Sequence, residues 1–455
     1  MKANELVRKD HQYLWHPFTQ QSEWEKETDP VIAIRGKGPW IFDSKGRRLL
    51  DGVSSLWCNV HGHRVPEIDR AIRRQLTKVA HTTMLGASNE PAILLAEQLA
   101  RLAPKGLKRV FYSDSGSEAN EIAMKMAFQF GRQTAKAGVP RDLFLTFREG
   151  YHGDTLGAVS MGGIDLFHGI FGPLLFKTCQ APHPFQSRKG RSFGSKAWLQ
   201  ESLSPVEAYF RRHSKRLLAV HMEPLVSGAG GMWMHPDGFL RGIRRLCDRH
   251  GVLLIVDEVA TGFGRTGSMF ACQQEGVTPD LMAVAKNLTG GYLPLAATLT
   301  TEKVYRAFLG SFESGRTFYH GHTFTGNQLA CAAALGNLKL VSKPAFLKRV
   351  NTNAKRLERE LKPLRSHPHV GDVRLRGLMG GIELVRDKNQ GTPYPYAMKM
   401  GFRVCAEARK RGVLLRPLGN VIVLMPPLSL EPVQMKFLTR VIHESIDTVT
   451  MAFSE

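Results

Sequence analysis

The chain has 455 residues, 43% hydrophobic and 22% charged, a composition typical of a soluble globular protein long enough for two or three domains. Lys and Arg outnumber Asp and Glu by 62 to 40, giving a net charge of +22. The basic stretches RRHSKR (211–216) and RRLCDRHG (244–251) are nevertheless interleaved with apolar residues and lack stacking aromatics, which argues for a surface that steers anionic ligands and against nucleic-acid binding. The six cysteines (Cys58, Cys179, Cys247, Cys272, Cys331, Cys405) form no CxxC pair, which excludes a disulfide framework and a zinc knuckle. With no apolar leader and no bilayer-length run, the expectation is a cytoplasmic protein without membrane contact.

In chain order, VIAIRG and WIFDSKGRRLLDG predict a small antiparallel sheet with turns at Gly36–Gly38 and Ser44–Gly46. From about residue 65, strands alternate with helices. Candidate strands are RVFYS (109–113), LFLTF (143–147), LLAVHMEP (217–224), VLLIVDE (252–258), LMAVAK (281–286) and LAATLTT (295–301). Their runs are continuously apolar, as in a largely parallel α/β sheet covered by helices on both faces. The helix GFLRGIRRLCDRHG ends on Gly251, a favourable C′ residue. QSRKGRSFGSK (186–196) reads as an exposed loop. Beyond residue 331 a long amphipathic helix (331–363), DVRLRGLMGGIELV, a helix ending at Gly412, the strand pair VLLRPLGNVIVLM and a terminal helix predict an α+β region. The predicted divisions are an N-terminal segment (1–64), a large domain (65–330) and a C-terminal small domain (331–455), the two end segments together forming the small α+β domain.

Ligands of open α/β sheets sit outside the carboxyl ends of the strands, and four segments end there. In FYSDSGSEANEIAMKMA, the loop Asp114–Ser117 precedes a helix starting near Glu118, so Gly116 and Ser117 could offer N–H groups to a phosphate; Asp114 or Ser115 could equally be an ordinary cap. GYHGDTLGAV sets Tyr151 and Asp154 in a glycine-rich loop, where the aromatic could stack on a planar ring. VLLIVDE stops on Asp257, a carboxylate able to face a protonated ring nitrogen. LMAVAKNLTGGYLP ends a buried run on Lys286; burial lowers a lysine's pKa and leaves neutral, nucleophilic amine. Phosphate cup, stacking aromatic, ring-nitrogen carboxylate and buried amine together are the parts needed to hold pyridoxal phosphate. GFGRTG (262–267) matches the literal dinucleotide fingerprint, but five residues separate it from its strand and no helix opens after it, so a nicotinamide site is rejected. The pairs His61/His63 and His320/His322 lack further ligands in sequence order, and no metal is expected.

These motifs resemble the class III (fold type I) pyridoxal-phosphate aminotransferases. The resemblance runs through DGVSSLWCNVHGH (51–63), YSDSGSEANEIAMKMA (112–127), GYHGDTLGAVS (150–160), IVDEVATGFGRTGSMFACQ (255–273), AKNLTGGYLPLAATLTT (285–301) and FYHGHTFTGNQLACAAA (318–334). WHPFTQ (15–20), SSLW (54–57) and RPLGNVIVLMPP (416–427) are similar to the branch of the family that acts in biotin biosynthesis, aminating 8-amino-7-oxononanoate to 7,8-diaminononanoate. The resemblance implies Lys286 as the lysine that binds the cofactor covalently, Asp257 at the pyridine nitrogen, Tyr151 over the ring, and Gly116 and Ser117 at the phosphate. It implies His322 and Thr323 reaching the cofactor of a neighbouring subunit, hence a homodimer with shared sites. Trp57, Leu56, Phe18, Gly321 and Arg416 would line the substrate site, with Arg416 gripping a carboxylate and Arg265 helping to orient the carboxylates. The family's default amino donor is S-adenosyl-L-methionine. Phe18, Leu56 and Val423 stand where such members commonly have tyrosine, tryptophan and tyrosine, so L-lysine is the alternative donor. A general ω-amino-acid:pyruvate transaminase is the alternative reaction.

Overall fold

The continuously apolar runs become the strands of one sheet in the computed structural model, which describes residues 3–26, 30–135 and 141–451. The strands are β1 (Leu107–Ser113), β2 (Leu143–Phe147), β3 (Cys179–Ala181), β4 (Leu217–Met222), β5 (Leu253–Asp257), β6 (Leu281–Val284) and β7 (Ala296–Thr301). Their order is β1-β7-β6-β5-β4-β2-β3. Only β7 runs against its neighbours; the other pairings are parallel. Every residue of β4, β5 and β6 is buried. Alternate side chains feed two cores: Leu254 and Val256 pack with Phe239 and Ile243 on one face, Leu253 and Ile255 with Ile122 and Met126 on the other. That two-sided burial is why these strands show no alternation in sequence.

The helix Phe239–His250 closes on Gly251 in the left-handed conformation, φ 62°, as its sequence requires. Two expectations are corrected. The 331–363 segment is two helices, Gln328–Val341 and Pro344–Leu361. Pro344 opens the second helix and holds Lys343 extended, because its ring disfavours helical geometry in the residue before it. The strand β3, three residues long, is too short to show a periodicity and was not expected. The 186–196 segment is a loop with exposed residues, as expected, and Arg188 anchors it: the side chain bonds Asp372 at 2.5 Å and lies 5.4 Å from the ring centres of both Phe185 and Phe193.

The two ends of the chain meet. Strands Ala33–Lys37, Trp40–Asp43 and Arg48–Asp51 form a sheet whose fourth member is Val413–Leu414, parallel to Arg48–Asp51. A second sheet is built from Val370–Arg376, Met379–Asp387, Val421–Leu424 and Pro417–Leu418. It is tied to the segment after β4 by Arg374, whose side chain is fully buried. Arg374 donates to Glu383 at 2.5 Å, Gly231 O at 2.7 Å and Met232 O at 2.9 Å. Its guanidinium lies 4.2 Å from the centre of the Trp233 ring. Removing one partner of such a pair strands the others. Arg374→Met is therefore expected to lower unfolding stability by ~3 kcal/mol, read from denaturant unfolding; an unchanged midpoint and slope would show that the tie contributes nothing.

Candidate active site

The carboxyl ends of β1, β2, β4, β5 and β6 open on one pocket of about 680 Å³, lined among others by Gly116, Ser117, Tyr151, Glu223, Asp257 and Lys286. β6 ends at Val284, two residues short of the lysine. Lys286 itself takes a left-handed backbone, φ 44°, and starts a short 3-10 turn. A β strand would have aimed its side chain at one sheet face; the turn lifts the amine out of the sheet into the pocket. Gly291 follows at φ 85°, where a Cβ would stand 3.0 Å from Cys58 O, so the loop closes only with glycine there. Burial holds the Lys286 amine below the ordinary lysine range, against the pull of Asp257 and Glu223. Its Nζ lies 5.7 Å from the Trp57 ring centre.

Asp257, the last residue of β5, accepts three hydrogen bonds. Oδ2 takes Asn120 Nδ2 and His152 Nδ1, each at 2.8 Å, and Oδ1 takes the Val259 N–H at 3.0 Å. Such donors suit an ionised carboxylate held in one orientation. The helix Gly116–Thr134 is capped by Ser115, whose Oγ accepts from Glu118 N while the Glu118 carboxylate accepts from Asp114 N and Ser115 N. The capping reading is thus correct for Ser115, and the helix begins at Gly116, two residues before the expected Glu118. The N–H groups of Gly116 and Ser117 meet no acceptor among the described residues and sit at the pocket wall. Tyr151 donates its hydroxyl to Asp154 at 2.7 Å and its backbone N–H to Glu223 at 3.2 Å.

Six expected residues, Lys286, Asp257, Tyr151, Gly116, Ser117 and Trp57, line this one pocket. The others lie elsewhere. Leu56 and Phe18 are about half exposed, and Arg416 stands 5.8 Å from the Phe18 ring centre. Gly321 and Thr323 are exposed, and the Thr323 carbonyl bonds His81 at 2.8 Å. His322 is partly buried beside His320, 3.1 Å between ring nitrogens. The fold also brings His322 within 4.8 Å of Asp114 and Glu118, acids remote in sequence order; the capping bonds already occupy Glu118. Arg265 is fully buried and outside the pocket lining, donating to Pro426 O at 2.5 Å and Leu378 O at 3.3 Å, and burial pulls its pKa down to about 9. Its bonds hold the C-terminal region against the β5 loop.

Sequence reasoning missed Asn120, His152 and Glu223. Only Glu223 had a signal, an acid directly after a wholly buried strand. Glu223 accepts from Gly228 N at 2.9 Å, and burial pushes its pKa up to about 7 despite His152 nearby and those N–H donors. A raised acid binds its proton more tightly in the folded chain, so its contribution to stability is full below the ordinary carboxylate range and is lost as pH rises through about 7. Glu223→Gln should remove that loss: between about pH 5 and pH 8 the apoprotein's stability relative to wild type should climb by up to ~3 kcal/mol, measured by thermal or denaturant unfolding. A pH-independent difference would show that Glu223 ionises normally.

Residues 21–446 match the family model described as aminotransferase class-III. The chain is 52% identical to the adenosylmethionine-8-amino-7-oxononanoate aminotransferase of Geobacter sulfurreducens, covering 97% of each chain. With the Aquifex aeolicus protein of that name it shares 48% identity over 99% of this chain and 97% of the other. The crystal structure of the Methanocaldococcus jannaschii protein, again of that name, superposes with a TM-score of 0.93 at 44% identity, covering 98% of this chain and 99% of that one. An (S)-enantioselective omega-transaminase from Thermomicrobium roseum superposes with a TM-score of 0.92 at 34% identity, over 99% of both. A match across nearly the whole length, with the lysine and carboxylate at the ends of neighbouring strands, places this chain in the class-III aminotransferases.

Proposed function

We propose that the protein transfers an amino group to 8-amino-7-oxononanoate, forming 7,8-diaminononanoate for biotin synthesis, with S-adenosyl-L-methionine as donor. The observation that carries this reading is near-full-length identity of about one half to relatives bearing that activity in their names. Its cofactor is pyridoxal phosphate, and the residues present fit it. Two unpaired helix N–H groups suit a phosphate, a carboxylate with three donors suits a ring nitrogen that carries a proton, and a desolvated lysine faces both.

When bound, pyridoxal phosphate supplies a carbonyl that accepts the amino group and a ring that withdraws electrons from the carbon losing its proton. Gly116 and Ser117 would hold the phosphate through their N–H groups, and the helix dipole would add to that attraction. Asp257 would keep the ring nitrogen protonated. Tyr151 would lie over the ring from the β2 loop. Lys286 would hold the cofactor covalently in the resting enzyme; once displaced by the donor amine, its Nζ would take the proton from the donor carbon and deliver it to the carbon that was the cofactor's carbonyl. Its lowered pKa leaves part of it neutral for that work.

Arg416 is assigned the keto acid's carboxylate, with Phe18, Leu56 and Trp57 bounding the substrate. L-lysine is the second donor reading: Val423 lies fully buried in an apolar cluster with Trp57, so that position offers no hydroxyl to a polar donor. The protein is read as a homodimer in which Gly321, His322 and Thr323 complete the partner's site. Support comes from their position outside their own pocket and from exposed apolar residues, with Leu85 90%, Ile170 84% and Phe312 84% exposed. We read the chain as a large domain (65–330) and a small domain from both chain ends (1–64 and 331–455), a division supported by the sheet that Arg48–Asp51 shares with Val413–Leu414. No helix among the described residues is long and apolar enough to cross a membrane; six free thiols suit the cytoplasm.

Lys286→Ala should fold and bind the cofactor reversibly but turn over on the order of 10³-fold more slowly. Borohydride should fix the cofactor to wild type at Lys286 and leave the variant unlabelled; a labelled or fully active variant would remove Lys286 from the role. Mixing wild type with S-adenosyl-L-methionine should bleach the cofactor's visible band, and 8-amino-7-oxononanoate should restore it. Bleaching by L-lysine alone would change the donor, and recovery with pyruvate but not with the keto acid would make this a general transaminase.

A further inference from the structure

Asp257 owes its orientation to side chains farther from the pocket, and the outermost is His221. This residue lies within β4 opposite Ile255 of β5, with no exposed surface. Its Nε2 is 3.0 Å from Asn120 Oδ1. The other end of that amide, Nδ2, faces three oxygens: Asp257 Oδ2 at 2.8 Å, His152 O at 3.0 Å and Gly116 O at 3.1 Å. Turned round, the amide would set its oxygen against three acceptors. Oδ1 must therefore face His221, and Nε2 must carry the hydrogen.

His221 Nδ1 is then bare and has no hydrogen-bonding partner among the described residues, so Asn120 alone fixes the ring by hydrogen bonding. The ring also lies against His152, with centroids 3.9 Å apart and planes 19° apart. His152 is the second side chain donating to Asp257 Oδ2. One buried histidine thus touches both side-chain donors to the same carboxylate oxygen without lining the pocket.

We infer that His221 is a positioning residue for the aminotransferase site: its Nε2–H fixes the Asn120 amide, its ring braces His152, and together they present Asp257 to the cofactor's ring nitrogen in one orientation. The inference rests on the assignment of Asp257 to that nitrogen. Without the Nε2–H, the buried Asn120 oxygen has no donor, and the amide, held only at Nδ2 by its three acceptors, loses the bond that fixes its far end. The effect passes to the cofactor, because the carboxylate–ring contact is the one that Asn120 and His152 steer.

His221→Phe keeps a stacked ring but removes the donor, His221→Met removes both, and His221→Gln returns an amide N–H within reach of Asn120. The dissociation constant of pyridoxal phosphate from the apoprotein and the circular dichroism of its visible band report on ring orientation; thermal unfolding of the apoprotein reports on packing. The Phe variant should bind pyridoxal phosphate about tenfold more weakly and lose part of the visible dichroism, with apoprotein unfolding kept close to wild type. The Gln variant should recover both readouts. Folded Phe or Met variants with wild-type affinity and dichroism would reduce His221 to packing and overturn the inference; should the Phe variant fail to fold, the contrast between Met and Gln decides it. Asp257→Asn serves as the control. Unchanged cofactor readouts in that variant would remove the Asp257 assignment itself, whereas a changed Asp257→Asn beside unchanged His221 variants overturns only the role of His221.

Discussion

Desolvation acts in opposite directions on the charged groups that share this pocket. Burial pushes the Lys286 amine toward its neutral form and Glu223 toward its protonated form, while Asp257 and Glu223 pull the amine back toward charge and His152 with two backbone N–H donors does the same for Glu223. Neither group could be buried so cheaply alone. The parallel sheet makes their meeting possible, because its strands all end on one side and deliver Glu223, Asp257 and Lys286 from three adjacent strands, β4, β5 and β6. The loop after β1 adds the open helix end, where the N–H groups of Gly116 and Ser117 meet no acceptor among the described residues.

Around that pocket the polar groups are arranged in tiers. Asp257 is oriented by Asn120 and His152, and these by His221. Each tier is buried among the apolar side chains of β4 and β5, so a misplaced hydrogen bond has no water to fall back on. Arg374 plays the corresponding part for the fold, gathering two backbone carbonyls and a carboxylate at the seam between the second sheet and the segment after β4.

Much of this was legible in the sequence because the signals were local. Apolar runs without alternation announced strands covered on both faces, and Gly251 marked its helix end. The same locality explains what escaped. Asn120 and His152 act on Asp257 across more than 100 residues of chain, which no spacing rule encodes. Pro344 was visible in the sequence, yet the apolar periodicity on either side of it concealed a break that one missing N–H and a restricted preceding residue suffice to make. The partners of Arg265 were equally hidden: its hydrogen bonds go to backbone carbonyls of the C-terminal region and to Ser54, all remote in sequence. Lys286 was placed at a strand's end, but the left-handed turn that lifts its amine depends on the loop's closure against Cys58 and Asn59, which sequence pattern does not convey.

The parallel pairing of Arg48–Asp51 with Val413–Leu414 has a consequence for how the chain is made. Asp51 and Trp57 leave the ribosome early, while the strand that completes their sheet emerges only after more than 350 further residues. The central sheet, whose last strand ends at Thr301, can assemble well before that. The first strands must meanwhile wait with an unpaired edge, the condition in which sheets find wrong partners. Leu49 and Leu50 are fully enclosed in the finished protein and uncovered until then. The Trp57 side of the pocket, packed with Met379, Val423 and Met425, is therefore completed only after the floor, and a chain released before residue 414 would carry the floor without that wall.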